Sequence, residues 1–402
     1  MEFKINKSFN ELLEDELSAI LKDAITIRRH LHMHPEIGFD THKTEAFVTN
    51  HLKEAGITIL PAKIGVIGLI RGNDEERFVA LRADMDALCL QEENDKPYKS
   101  KEPNKMHACG HDGHTAMLIS AAMILQKNRD KLPLSVLLLF QPAEEGPNLG
   151  GARIMLDDLK AKGLADKIVG IFGQHLFNDY PTGLVGLKQG PLASSTDEFD
   201  IKIIGKGGHA GQPHKTVDAI SVGSKFVAAM ESFMSRRIDP FDPAIFSIGI
   251  FHSGTAKNIV AGTARIAGTI RCQNNDTRKY IIDNMKRIAN DICKAYEASC
   301  SIDILHGLPV LENCKECTTY GKNVAVELFG KDKVFEIEHP MMGAEDFAYF
   351  AEEIPASFIW IGSGNAEKGF IYLAHHPKFD FDEDAMKTGI KMLCGIAANI
   401  SV

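Results

Sequence analysis

Leu134-Ser-Val-Leu-Leu-Leu-Phe140, followed at once by Gln141-Pro142-Ala143-Glu144-Glu145, is the stretch that decides the fold. An apolar run this short, closed by a proline and two acids, reads as a strand buried on both faces of a parallel sheet. Similar runs flank it in the sequence. Phe78-Val-Ala-Leu-Arg-Ala83 delivers Asp84-Met85-Asp86, Lys167-Ile-Val-Gly-Ile-Phe172 ends at Gly173-Gln174-His175, and Phe358-Ile-Trp-Ile361 leads through a Gly-Ser-Gly turn to His375-His376-Pro377. Asp84, Asp86, Glu144, Glu145 and His175 are thereby predicted just past the carboxyl ends of central strands, where open α/β sheets place their ligands. Successive side chains on extended backbone point to opposite sides, so one of Glu144 and Glu145 can bind an ion while the other faces a water. A solvated acidic pair is the plainer alternative, and the convergence of acids and histidines argues against it.

Between the 78–83 and 134–140 runs lies His107-Ala-Cys109-Gly-His111-Asp112-Gly-His114, with three imidazoles, a thiol and a carboxylate in eight residues. Thiolate and imidazole at this density suit Zn²⁺ or a similar transition metal, and Cys109 and His111 can face one ion from a loop. Read without the other acids, the cluster is equally a polar turn capping a helix predicted over residues 115–126.

Working outward, residues 11–33 form an amphipathic helix pattern stopped by Pro35, and residues 43–55 a second helix ended by Gly56. His30, His32 and His34 alternate, but two-residue spacing splits them over different faces of a helix, which argues against a metal role. Residues 193–307 change character. Strand 199–204, helix 217–234, strands 245–251 and 264–272, helix 278–299 and strand 301–305 give the order β-α-β-β-α-β, a ferredoxin-like unit able to fold alone. The expected fold class is therefore α/β, with a mostly parallel, helix-flanked sheet in a catalytic domain (1–192 and 308–402) and an inserted ferredoxin-like α+β domain. A final helix is expected over 380–398, its acidic lead-in complementing the helix dipole.

The bulk composition narrows the function. A net charge of −9 with no basic patch argues against nucleic acid and anionic membrane as partners. No signal-like or membrane-spanning run is present, and eight cysteines without a disulfide rhythm read as reduced thiols, so a cytoplasmic protein is expected. Cys314-Lys-Glu-Cys317 reads as two incidental thiols at a helix start.

Taken together, Arg82-Ala-Asp84-Met-Asp86-Ala-Leu88, the His107–His114 stretch, Gln141-Pro-Ala-Glu-Glu-Gly146, Gly205-Lys-Gly-Gly-His209-Ala, Met342-Gly-Ala-Glu-Asp-Phe347 and His375-His-Pro377 resemble the M20 family of metallopeptidases and amidohydrolases. The branch most similar is that of hippurate hydrolases, N-acyl-amino-acid amidohydrolases and auxin-conjugate hydrolases. The resemblance runs from about residue 24 to the C-terminus. It implies two divalent metal ions per subunit (Zn, Mn, Co or Ni) held by Cys109, His111, Glu145, His175 and His375, with Cys109 bridging. It implies Glu144 as general base, Asp86 as the carboxylate orienting a ligand, His209 as a lid residue reaching an active site, and Asn258 and Arg271 as contacts to the substrate carboxylate. It also implies a homodimer joined through the lid, or a homotetramer. Cys89, where proline commonly follows Ala-Leu, and Asn258-Ile-Val-Ala-Gly262 depart from the usual pattern, and the second change bears on substrate preference.

Such a chain is expected to hydrolyse the amide of a small N-acyl amino acid, Glu144 taking a proton from the attacking water and passing it to the departing amine. A carboxypeptidase or dipeptidase of the same fold is the nearest alternative. A cysteine hydrolase using Cys109 as nucleophile, and a binding protein that keeps the fold without turnover, are the alternatives of other classes. For Glu345 and Asp346 a supporting role and a direct one stay open.

Overall fold

The computed structural model describes residues 2–146 and 150–401. Its contacts divide the chain into two compact units, Met1–Leu192 with Glu312–His339 and Asp346–Val402, and Ala193–Leu311 with Pro340–Glu345. The short Pro340–Glu345 segment joins the second unit through backbone oxygens: Ser194 Oγ donates to Met342 O at 2.8 Å, and Arg271 Nη1 donates to the same oxygen at 3.1 Å.

The first unit is built on an eight-stranded sheet in the order Val334–Glu336, Val185–Leu187, Ala356–Gly364, Ile168–Pro181, Asp74–Asp84, Leu134–Gln141, Val66–Ile70, Thr58–Leu60. The four long strands, Ala356–Gly364 through Leu134–Gln141, are mutually parallel. Every residue of Leu134–Gln141 is buried, as a strand covered on both faces requires, and each of its leucines contributes roughly 1.5–3 kcal/mol.

Helix Lys7–Met33 begins where the Asn6 side chain accepts a hydrogen bond from Phe9 N, and its Leu13, Leu17, Ile20, Ala24, Ile27 and Leu31 are buried. The metal-type motif itself starts a helix, His111–Lys127, four residues earlier than expected. Gly110 at φ +90° supplies the left-handed turn that lets the chain enter this helix directly after Cys109. Strand Ile168–Pro181 is longer than its apolar run, so His175 lies inside it, opposite Trp360, and not past its end. The final helix is Ala385–Ala398, and the acidic lead-in is not helical. Its carboxylates have other partners: Asp380 meets Arg28 at 2.7 Å and Asp382 meets Lys368 at 3.0 Å, so the helix-dipole reading of that segment is corrected.

The second unit has the expected ferredoxin-like form. Strands Ala244–Ser253, Thr263–Cys272, Asp197–Ile204 and Ser299–His306 form one antiparallel sheet in that order. Helices Ala219–Arg237 and Asn275–Ala295 are capped by Asp218 and Asn274, and they share with the sheet a core that includes Phe199, Ile201, Phe226, Met230, Ile266, Ile281 and Met285.

Candidate active site

Six side chains of the first unit converge where the parallel strands end. In each of three overlapping sets, Cys109 with His111 and His175, Cys109 with Glu145 and His375, and His111 with Glu144 and Glu145, the potential ligand atoms all lie within 4.8 Å of one another. Cys109 belongs to the first two sets. Its Sγ is 3.3 Å from His175 Nε2, while His375 Nε2 is 2.8 Å from Glu145 Oε1.

The histidine tautomers are set from behind. His111 Nδ1 faces the Asp86 backbone oxygen at 2.9 Å, and His175 Nδ1 faces the Leu176 oxygen at 2.8 Å, so in each ring Nδ1 carries the proton and Nε2 offers a lone pair to the cluster. His111 Nε2 is buried and has no hydrogen-bond partner. A buried lone pair left without a donor, beside a thiol and two carboxylates, is the arrangement a divalent cation satisfies, so the residues fit the metal centre that the fold implies.

Asp86 fixes the acids. Its carboxylate accepts Glu144 N at 3.0 Å and Glu145 N at 3.1 Å, and the preceding Ala143 takes φ +58°, a rare value for a residue with a Cβ. His375 is likewise at φ +68°, and its backbone N donates to Ala108 O at 2.7 Å, which pins the His375 loop to the Cys109 loop.

A charged layer lies beneath. Buried Arg82 spans Asp84 Oδ2 at 2.7 Å, Gln141 Oε1 at 2.9 Å and Asp346 Oδ1 at 2.8 Å. Asp84 Oδ1 meets His114 Nδ1 at 2.6 Å, and His114 Nε2 accepts Leu176 N at 3.0 Å, next to His175. Asp346 also accepts from Gln141 Nε2 and from Ala152 N at 3.0 Å, bonds that tie it to the framework under the site. Glu345 belongs to the second unit.

Electrostatics follow the burial. Burial pushes the Cys109 thiol up and the His175 imidazole well down. Asp84 and Cys109 outweigh burial and hold His111 well above the usual histidine range, so a cation taking its Nε2 lone pair competes with a proton there. Hydrogen bonds that the protonated His375 ring donates to Cys109 and Glu145 push it up to about 10. Burial would raise the Asp84 carboxyl, yet His111, His114 and Arg82 hold it well below its ordinary value.

The three expected substrate residues lie in the second unit. His209 and Asn258 come together: strand Gly208–His209 pairs antiparallel with Ile259–Val260, and Ala210 N donates to Asn258 O at 3.2 Å. His209 is exposed, and its Nδ1 accepts Gly211 N at 2.9 Å. Arg271 stands near the other end of strand Thr263–Cys272, roughly 25 Å along at about 3.3 Å per residue, so it is not brought to His209 and Asn258 within one chain.

Sequence reasoning missed Arg28 and discounted His32. Both are fully buried, and both reach Asp112, the neighbour of His111, at 2.8 Å. A fully charged residue on the apolar face of an amphipathic helix was the available signal.

Among the described residues no helix is long and apolar enough to cross a membrane. The profile of Peptidase family M20/M25/M40 matches residues 80–399. Thermostable carboxypeptidase 2 of Saccharolobus solfataricus is 38% identical over 385 residues, covering 94% of this chain and 95% of that protein. The hippurate hydrolase of Campylobacter jejuni is 38% identical over 362 residues, 89% of this chain and 91% of its own. The crystal structure of a dinuclear metal binding peptidase of the M20 family from Bacillus subtilis superposes with a TM-score of 0.82 at 32% identity, covering 95% of this chain and 98% of that one. With the family profile spanning most of the sequence and such relatives aligned nearly end to end, the chain belongs to peptidase family M20/M25/M40 and is a metal-dependent hydrolase of amide bonds.

Proposed function

We propose that this enzyme hydrolyses N-acyl L-amino acids, releasing an acetyl, benzoyl or similar acid, and that Cys109, His111, Glu145, His175 and His375 would hold two divalent ions. The observation that carries this reading is the meeting of these five side chains beside Glu144, with the lone pairs of His111 and His175 turned into the cluster by their Nδ1 bonds. Bound divalent ions make water a better nucleophile and polarise a carbonyl oxygen, the two barriers to amide hydrolysis. The chain's own residues do the rest. Glu144 accepts the proton of the attacking water and delivers it to the departing nitrogen, while Asp86 holds Glu144 and Glu145 by their backbones so that their carboxylates keep separate tasks. His209 supplies a hydrogen bond to the developing oxyanion, and Asn258 acts beside it. Arg271 suits a substrate carboxylate through its planar fork, and because it lies roughly 25 Å along its strand from His209 and Asn258, those two would serve the site of the other subunit in the proposed homodimer.

Relatives named for deacylation support the acyl-amino-acid substrate, among them an N-acetylcysteine deacetylase of Bacillus subtilis that is 36% identical over 376 residues. The carboxypeptidase relative favours dipeptide cleavage as the second reading, since the chemistry at the amide is shared. The 3.3 Å contact of Cys109 with His175 also suits a thiol nucleophile, but that role leaves His111, Glu145 and His375 gathered on the same sulfur without a purpose. A homodimer joined through the second unit and a cytoplasmic setting complete the proposal; all eight cysteines are free, as a reducing compartment requires.

The test is a panel of N-acetyl- and N-benzoyl-amino acids and matched dipeptides, followed by release of the free amino acid. We expect kcat/KM for the acyl amino acids to exceed that for the dipeptides by tenfold or more. The reverse order assigns the enzyme to the carboxypeptidase reading.

A further inference from the structure

Arg28 and His32 lie one turn apart on the inner face of helix Lys7–Met33, and neither side chain is exposed. The Arg28 guanidinium gathers carboxylates from two distant parts of the chain. Its Nε is 2.8 Å from Asp112 Oδ2, its Nη2 is 2.7 Å from Asp380 Oδ1, and its Nη1 is 3.3 Å from Glu383 Oε1. The Tyr98 ring at 5.0 Å and the Phe381 ring at 4.3 Å cover it. His32 Nδ1 reaches the same Asp112 oxygen at 2.8 Å while its Nε2 lies 3.2 Å from Glu92, and Tyr98 Oη donates to Asp380 Oδ2 at 2.7 Å.

The two ends of this cluster adjoin different halves of the candidate metal centre. Asp112 follows His111 in the first turn of helix His111–Lys127, and Asp380 closes the loop that carries His375. A buried ion cluster is seldom the most stable filling for a core, since apolar side chains of similar volume often serve as well. What such a cluster does fix is position, because each carboxylate must meet one edge of a planar cation.

We propose that Arg28, backed by His32, is a positioning residue that sets the spacing between the Cys109/His111 side and the His375 side of the metal centre, and so its affinity for a pair of divalent cations. The proposal rests on the ligand set given under Proposed function. Outer groups that orient ligands are typically worth about 10- to 100-fold in metal affinity. Lysine at position 28 keeps a charge but offers a point in place of a fork, so it restores part of the spacing only.

The experiment titrates full-length, metal-stripped protein with Zn²⁺ and with Mn²⁺ by calorimetry, for wild type, Arg28→Met, Arg28→Lys and Tyr98→Phe, with urea unfolding of each apo form measured separately. Tyr98→Phe removes one bond to Asp380 and leaves the ion cluster in place, so it reports even where Arg28→Met does not fold. Expected are two ions per wild-type chain, affinity lower by about 10- to 100-fold in Arg28→Met, partial recovery in Arg28→Lys, and a several-fold loss in Tyr98→Phe. Folded variants that bind both ions as wild type does, while losing only urea resistance, overturn the positioning role. A wild-type chain that does not take up two ions overturns the ligand set itself and the inference with it.

Discussion

Asp86 and Glu145 are joined through a carboxylate oxygen and a backbone amide at 3.1 Å, and the other oxygen of Asp86 takes Glu144 N at 3.0 Å. One buried carboxylate thus orients both acids of the Glu-Glu pair, and the Asp86 backbone oxygen holds His111 at 2.9 Å. Asp86→Asn presents an amide N–H₂ to one of two N–H donors and leaves that donor unpaired. We expect the variant to fold and to bind metal about 10- to 100-fold more weakly, read by titration of the stripped protein.

Glu144 is assigned to proton transfer alone. Glu144→Gln keeps the shape and the Asp86 bond, so its metal content should match that of wild type while kcat falls by about 10²- to 10⁴-fold. Metal analysis alongside steady-state kinetics separates this from loss of a ligand, which lowers both.

Gly113 is a packing constraint hidden inside the motif. A Cβ there would sit 2.6 Å from Phe381 Cζ and 2.8 Å from Leu176 Cδ1, both in fully packed surroundings. Alanine gains up to about 1 kcal/mol of helix propensity, but overpacking costs about 1–3 kcal/mol, so Gly113→Ala should be net destabilising in urea unfolding.

Acid lability should be traceable to the cluster around Arg28. Burial would raise the carboxyls of Asp380 and Glu92, but Arg28 and His32 respectively hold each below its ordinary value. Groups with depressed folded pKa stabilise above their unfolded values, about 3.9 and 4.3, and lose that contribution as pH falls through the folded ones. Urea midpoints should therefore drop as pH is lowered from about 6 to about 3. Asp380→Asn should start lower at neutral pH and fall less steeply.

The sheet and the inserted unit were legible because their signals are local. The apolar run Leu134–Phe140 can only be a strand buried on both faces, and the 199–305 order of elements yields the observed antiparallel sheet directly. The pair Glu144 and Glu145 was legible from the strand end that delivers it, and Cys109 and His111 from the density of ligands in their own motif. What the sequence hides is long-range pairing. Nothing near Arg28 announces Asp380, 352 positions away, and the acidic run 380–384 reads as a helix cap until its partners Arg28 and Lys368 are seen. The helix beginning at His111 escaped for a related reason, since Gly110 and Gly113 look like turn residues and are instead an entry bend and a contact for Phe381. The family resemblance puts Arg271 and Asn258 together at the substrate carboxylate, while within one chain the strand between them sets them apart.

The most direct test of the account measures bound divalent metal and amide hydrolysis together, before and after chelation, in wild type, Glu144→Gln and Cys109→Ala. Chelation is expected to silence wild type and added divalent ion to restore it, Glu144→Gln to stay loaded but inactive, and Cys109→Ala to lose metal and activity together. Stripped wild-type protein that still turns over substrate, with only Cys109→Ala inactive, would make the thiol the nucleophile and contradict the metal centre.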